Sequence, residues 1–258
     1  MKIPVNICLF TSTKGHWGVR TRYLDTVTNL NNQIPLSSFS GLFVHIKVTP
    51  GEEQTANDMQ YNLEKFGFTV IKTLGDWAHG KNHQEEYLKD ITKIFLNPEV
   101  NKTEYSFFTE DDFDLVCKKG NLVDYITKAT SILNENPDVV SVRIARAANE
   151  RARILGLRAK HGINSYVSPD INGEYFLATD FSNNPHLVRT RDMRNAMILL
   201  KKINGFPIHS EHGTADALKI FSNSETPIAI FRPEDIVCRH RGTPIGEEEP
   251  NDKDIFLD

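Results

Sequence analysis

Tyr105-Ser-Phe-Phe-Thr-Glu-Asp-Asp-Phe-Asp114 is an apolar, aromatic run that breaks into four carboxylates within five residues, Glu110, Asp111, Asp112 and Asp114. The run has the composition of a buried strand. Carboxylates are not buried without partners, so these are expected where the strand emerges at a sheet edge. In an open α/β sheet that edge is where ligands bind. Clustered carboxylates repel one another, and a hard divalent cation, Mg²⁺ or Mn²⁺, relieves the repulsion. The plainer alternative is an acidic turn that is solvated or caps the next helix.

The bulk of the chain bounds the choices. Its 258 residues suffice for one large domain or two small ones. The hydrophobic content of 39% and charged content of 25% are those of a globular protein. A formal net charge of −4 offers no general attraction to nucleic acid or to an anionic membrane. No apolar run approaches the roughly 20 residues of a membrane span, and the first ten residues are too interrupted for a signal peptide. Cys8, Cys117 and Cys238 are odd in number and lack metal-type spacing, which points to a reducing, cytoplasmic setting.

Around the acidic stretch the chain alternates strand and helix. Val5 to Phe10 reads as a buried strand, followed by the polar turn Thr11-Ser-Thr-Lys-Gly15 and a helix over Val19 to Leu30 with Tyr23, Val27 and Leu30 inward. Gly41 to Val48 is a second strand, Glu52 to Phe66 a helix with acids in its first turn and Gly67 at its end, and Phe68 to Leu74 a third strand. Asp76, just past it, is placed either to bond a base or ribose or to cap a turn. A helix over His83 to Leu96 turns Tyr87, Ile91, Ile94 and Phe95 inward, and another over Gly120 to Asn134 uses Leu122, Tyr125, Ile126, Ala129 and Leu133. Val139 to Ile144 is a fifth strand. Short links between such units argue for a mostly parallel sheet covered by helices.

Beyond residue 145 the pattern is less regular. Arg143, Arg146, Arg151, Arg153, Arg158 and Lys160 form the most basic stretch, read either as a solvated face or as a contact for phosphates or an acidic acceptor. Without interleaved aromatics it does not resemble a nucleic-acid surface. Gly173 to Thr179 and Thr226 to Phe231 read as strands, Leu187-Val188 as a short extended piece, and Arg191 to Ile203 as a helix with Met193, Ala196, Met197 and Leu200 inward. Glu211 falls in the first turn of a helix opening near Ser210, where the dipole stabilises its charge. Ile236 to Gly242 is a basic segment centred on His240, with Arg241 beside it. The division expected is residues 1–145 for nucleotide binding, 146–243 for acceptor binding and catalysis in the same domain, and 244–258 as an acidic tail.

In this order, a strand ending in Thr11-Ser-Thr13, α/β units, Phe-Phe-Thr-Glu110-Asp111-Asp112, Glu211 at a helix start and a late His240, the chain resembles the nucleotide-diphospho-sugar glycosyltransferases of the GT-A fold. The resemblance spans about residues 3 to 243. It implies a nucleoside-diphosphate sugar donor, a glycan or other hydroxyl acceptor, and a divalent cation, Mn²⁺ or Mg²⁺. It further implies Asp112 and His240 as metal ligands, Asp111 on the ribose, and Thr11, Thr13 and Asp76 around the nucleoside. Glu211 matches the base of inverting members, although Glu-His stands here in place of the commoner Glu-Asp. Glu110 takes the first acidic position, acting through water or not at all. An alternative register uses Asp112-Phe-Asp114. Arg241 belongs to the basic segments that assist the departing diphosphate.

Three other readings compete. A sugar nucleotidyltransferase uses a related sheet, but Thr11-Ser-Thr-Lys-Gly-His-Trp-Gly18 matches its glycine-rich signature poorly. A glycoside hydrolase needs carboxylates across a bond, which adjacent acids in one turn seldom supply. A non-catalytic binding protein on the same fold is also compatible.

Overall fold

The computed structural model describes residues 2–13, 22–75, 83–145, 168, 171, 173–179, 185–202, 210–222, 224, 227–232 and 235–240. The first strand, β1 (Ile3–Ser12), leads to helix α1 (Arg22–Gln33), then β2 (Phe39–Val48), α2 (Glu53–Lys65), β3 (Thr69–Leu74) and α3 (His83–Phe95). The acidic stretch forms β4 (Tyr105–Glu110) and, after a turn, β5 (Phe113–Cys117). Helix α4 (Leu122–Glu135) and strand β6 (Ser141–Arg143) complete the first half. The second half supplies β7 (Tyr175–Ala178), β8 (His186–Arg189), α5 (Thr190–Lys202), α6 (Ser210–Ser222), β9 (Ile228–Phe231) and β10 (Ile236–His240).

Eight strands form one sheet in the order β3-β2-β1-β4-β8-β6-β9-β7. The first four are mutually parallel, β8 is antiparallel to both β4 and β6, β6 and β9 are parallel, and β7 is antiparallel to β9. The sheet is therefore mostly parallel, and strands from both halves of the sequence interleave in it. The ends of β1, β2, β3, β4, β6 and β9 reach the same edge, which in open α/β sheets is the ligand edge.

Alternation along the strands sorts their side chains onto two faces. Val5, Ile7 and Leu9 of β1 join Tyr23, Val27 and Leu30 of α1 and Leu122, Ile126 and Leu133 of α4 in one apolar cluster. Cys8 and Phe10 join Leu88 and Ile91 of α3, Met193 and Met197 of α5, and Leu218 of α6 in the other. Helices thus cover both faces, and the inward residues expected for α1, α3, α4 and α5 are all buried. Asn121 caps α4 by accepting from the Asp124 amide while the Asp124 side chain takes the Asn121 amide, a reciprocal capping box.

Two strands depart from expectation. Phe113–Cys117, which the sequence pattern assigns to no element, and Ile236–His240, which reads as a basic segment, pair with each other as a separate antiparallel ribbon. Each is only five residues long and carries charges within it, which hides a strand pattern. Arg143, grouped by its sequence with a basic stretch, is a strand residue only 2% exposed; Arg146 to Lys160 lie outside the described residues.

Candidate active site at the strand ends

The four acids leave β4 in different environments. Glu110 shares the face of Phe108 and turns toward α3, where the Tyr87 hydroxyl donates to its Oε1. Tyr87 is itself buried, edge-on to Phe10 with ring centroids 6.0 Å apart. Asp111 is tied three ways. Its amide donates to the Phe10 carbonyl at 3.0 Å, its Oδ2 accepts from Thr11 Oγ1 at 2.5 Å, and its carbonyl accepts from Thr26 Oγ1 at 2.8 Å. The turn is thereby pinned to the end of β1 and to α1. Asp112 is 1% exposed and Asp111 6% exposed. The acids stand at the end of β4, at the sheet edge, and there Asp111 and Asp112 are enclosed rather than solvated. Asp114, on β5, is partly buried.

The β5–β10 ribbon is what carries the late chain to this turn. His240 is paired with Phe113, and Arg239 with Asp114. The ribbon is held at its middle and at one end. Near β6 the Cys238 amide donates to the Ala145 carbonyl at 2.9 Å. At its far end the Asp235 carbonyl accepts from the Lys118 amide at 2.8 Å, and Lys119 Nζ meets Asp235 Oδ1 at 3.0 Å. The Tyr125 hydroxyl lies 2.6 Å from the Asp235 carbonyl and 2.5 Å from that of Lys119. Burial, the largest influence, pushes the Tyr125 phenol up to about 12 and keeps it a donor.

Thr11 and Thr13, at the end of β1, are fully buried. The Thr11 hydroxyl serves Asp111, while Thr13 Oγ1 accepts from the Thr49 amide at 2.9 Å and so joins the exits of β1 and β2. Glu211 is the second residue of α6, as its sequence context implied. The side chains of Glu211 and His240 lie outside the described residues, as do Asp76 and Arg241 entirely. The structure therefore gathers Thr11, Asp111, Asp112 and Glu110 with the backbone of His240. Tyr87, Thr26 and Tyr125 were not singled out as site residues. Tyr87 and Tyr125 read simply as inward helix positions, and nothing in a local pattern distinguishes a packing tyrosine from one whose hydroxyl holds a carboxylate or a carbonyl.

Among the described residues no group of three or more His, Cys, Asp or Glu side chains stands together as a metal site. Nor is any helix among them long and apolar enough to cross a membrane.

No protein-family model matches the chain, and no curated protein matches it. Solved structures do. A structure of GalNAc-T7 with UDP, GalNAc and Mn²⁺ superposes with a TM-score of 0.56 at 5% identity, covering 92% of this chain and 42% of that one. Staphylococcus aureus TarS gives a TM-score of 0.49 at 10% identity over 95% of this chain and 37% of its own. The 4-diphosphocytidyl-2C-methyl-D-erythritol synthase of Anaerococcus prevotii gives 0.44 at 11% identity over 98% and 94%. The chain thus spans less than half the length of the GalNAc-T7 and TarS chains. The likeness to GalNAc-T7, together with the mostly parallel sheet flanked by helices, shows that this chain has a GT-A-like fold.

Proposed function

We propose that the chain is a metal-dependent glycosyltransferase that moves a sugar from a nucleoside-diphosphate donor to an acceptor hydroxyl with inversion at the anomeric carbon. The observation that carries the reading is the β5–β10 ladder, which sets His240 opposite Phe113, the neighbour of Asp112. A carboxylate and an imidazole are donor types compatible with Mn²⁺ or Mg²⁺, and the backbone of His240 pairs one residue away from Asp112. Asp112 and His240 would hold the ion. When bound, such an ion neutralises charge that develops on the departing diphosphate.

The remaining roles belong to the chain's own groups. Asp111, fixed by Thr11, faces the ribose; Thr13 and Asp76 flank the nucleoside. Glu211 takes the proton of the acceptor hydroxyl while that oxygen bonds to the anomeric carbon and the bond to the diphosphate oxygen breaks. Helix position supports Glu211 in that role, because the α6 N-terminus keeps a carboxylate ionised and ready to accept. Arg241 assists the leaving diphosphate. Glu110, held by Tyr87, acts through water. Asp114 is the metal ligand of the alternative register. The protein is read as cytoplasmic, with no nucleic-acid partner.

A thermal-shift series with UDP, GDP, CDP and TDP, each with and without Mn²⁺, tests the reading. Ligand that binds the folded state raises the melting temperature. One nucleotide should do so only with metal and only with Asp112 intact. If no nucleotide shifts the wild-type protein under either condition, the transferase reading falls.

A further inference from the structure

Away from the acidic turn, the described residues contain a second buried group of charges. Lys47, on β2 one residue before its end, has a side chain 2% exposed. Its ammonium lies 3.0 Å from Glu86 Oε2 and 3.1 Å from Asp90 Oδ2, both on α3. Asp90 Oδ1 in turn accepts from Thr73 Oγ1 at 3.0 Å and lies 3.2 Å from His45 Nε2. His45 and Thr73 are also 3.0 Å apart. Five polar side chains from β2, β3 and α3 therefore close on one another in the layer between sheet and helix.

Such a network is poor value as a source of stability. Desolvating the Lys47 ammonium and the Asp90 carboxylate consumes most of what their attraction returns, and apolar replacements of similar volume are often neutral. Its location suggests another use. The Lys47 carbonyl accepts from the Thr13 amide at 2.9 Å, so Lys47 fixes the exit of β1 through its backbone. Its side chain lies beneath Gly75, the residue after β3. A Cβ at position 75 would fall 2.6 Å from Lys47 Cε and 2.9 Å from Nζ. Because the ammonium is pinned by two carboxylates, that side chain cannot swing aside. The Gly75 amide donates to the Val48 carbonyl at 2.9 Å and completes the seal. Finally, α3 places Tyr87 on Glu110 from the same turn that places Glu86 on Lys47.

We propose that Lys47, clamped by Glu86 and Asp90, is a positioning residue for the nucleoside half of the donor. It sets the exits of β1 and β3, and it registers them against the acidic turn through α3. This inference rests on the transferase reading above, which locates the nucleoside at those exits.

The test uses the full chain and two variants. Lys47→Met combined with Asp90→Leu removes the buried charges together, which avoids stranding one of them. Glu86→Gln weakens the clamp at its half-exposed side and leaves the core untouched. For each, the melting temperature is recorded, and Kd is measured with Mn²⁺ for the best-bound nucleoside diphosphate and for inorganic pyrophosphate. The expected result is a Kd for the nucleoside diphosphate raised about tenfold in the double variant and about threefold in Glu86→Gln, with the pyrophosphate Kd changed by less than about twofold. Equal weakening of both ligands would mean general loosening, and unchanged Kd values in the folded variants would mean no role; either overturns the inference alone. Should the double variant not fold, Glu86→Gln decides by the same criteria. Wild-type protein that binds pyrophosphate but no nucleoside diphosphate would remove the donor reading and this inference with it.

Discussion

His240 on β10 is paired across an antiparallel ladder with Phe113 on β5, the residue that follows Asp112. Nearly half the chain separates them in sequence, and the ladder brings their backbones to adjacent positions. If the pair frames a metal site, Asp112→Asn and His240→Ala should each abolish the Mn²⁺-dependent part of the nucleotide's melting shift. Ligand at a hundred times Kd stabilises a protein by about 2.7 kcal/mol, and the variants should lose most of that while unfolding cooperatively without ligand. Retention of the full shift in either variant would exclude that side chain from the site.

Thr11 and Asp111 offer a graded test of the turn. Thr11→Val deletes the hydroxyl that donates to Asp111 Oδ2 in a buried setting, at an expected cost of about 1–3 kcal/mol. Thr11→Ser keeps the donor and should stay within about 1 kcal/mol of wild type. Urea unfolding gives the stabilities, and nucleotide Kd should follow the same order.

Glu211→Gln should leave nucleotide binding within about twofold and lower kcat by about 10²–10⁴ once an acceptor is in hand, the range expected for removal of a general base. Single-turnover assays with intact, folded protein make the comparison. Near-normal turnover would assign the base elsewhere.

The carboxyl of Glu86 lies below its ordinary 4.5, chiefly because Lys89 and then Lys47 donate to it. A group whose folded pKa is depressed contributes stability above its unfolded value, and that contribution is lost as pH falls through the folded pKa. Wild type should therefore exceed Glu86→Gln in urea stability near neutral pH, and the gap should close as pH falls below the ordinary carboxylate range. A gap independent of pH would mean that the side chain acts through packing.

Much of the architecture was legible because its determinants are local. Apolar spacing at helical period in Tyr23, Val27 and Leu30, or in Met193, Ala196 and Met197, marks a buried face wherever the helix docks. The aromatic run into Glu110 announced a central strand and an acidic edge. The β5–β10 ribbon escaped because five-residue strands bearing Asp114 or Arg239 lack a period, and their partner is distant in sequence. The burial of Arg143 escaped for a related reason: a charged residue is read as exposed unless its neighbours in space are known.

By itself, then, the sequence determined most of the succession of strands and helices, the inward faces of α1, α3, α4 and α5 and the clustering of acids after β4. These follow from backbone sterics and from hydrophobic burial, which act over one or two turns of chain. The order of strands in the sheet, the enclosure of Asp111 and Asp112, the pairing of His240 with Phe113 and the clamping of Lys47 under Gly75 were decided by tertiary structure. Those features depend on hydrogen-bond ladders and desolvated charges between residues remote in sequence, and such interactions exist only once the whole sheet has closed around them.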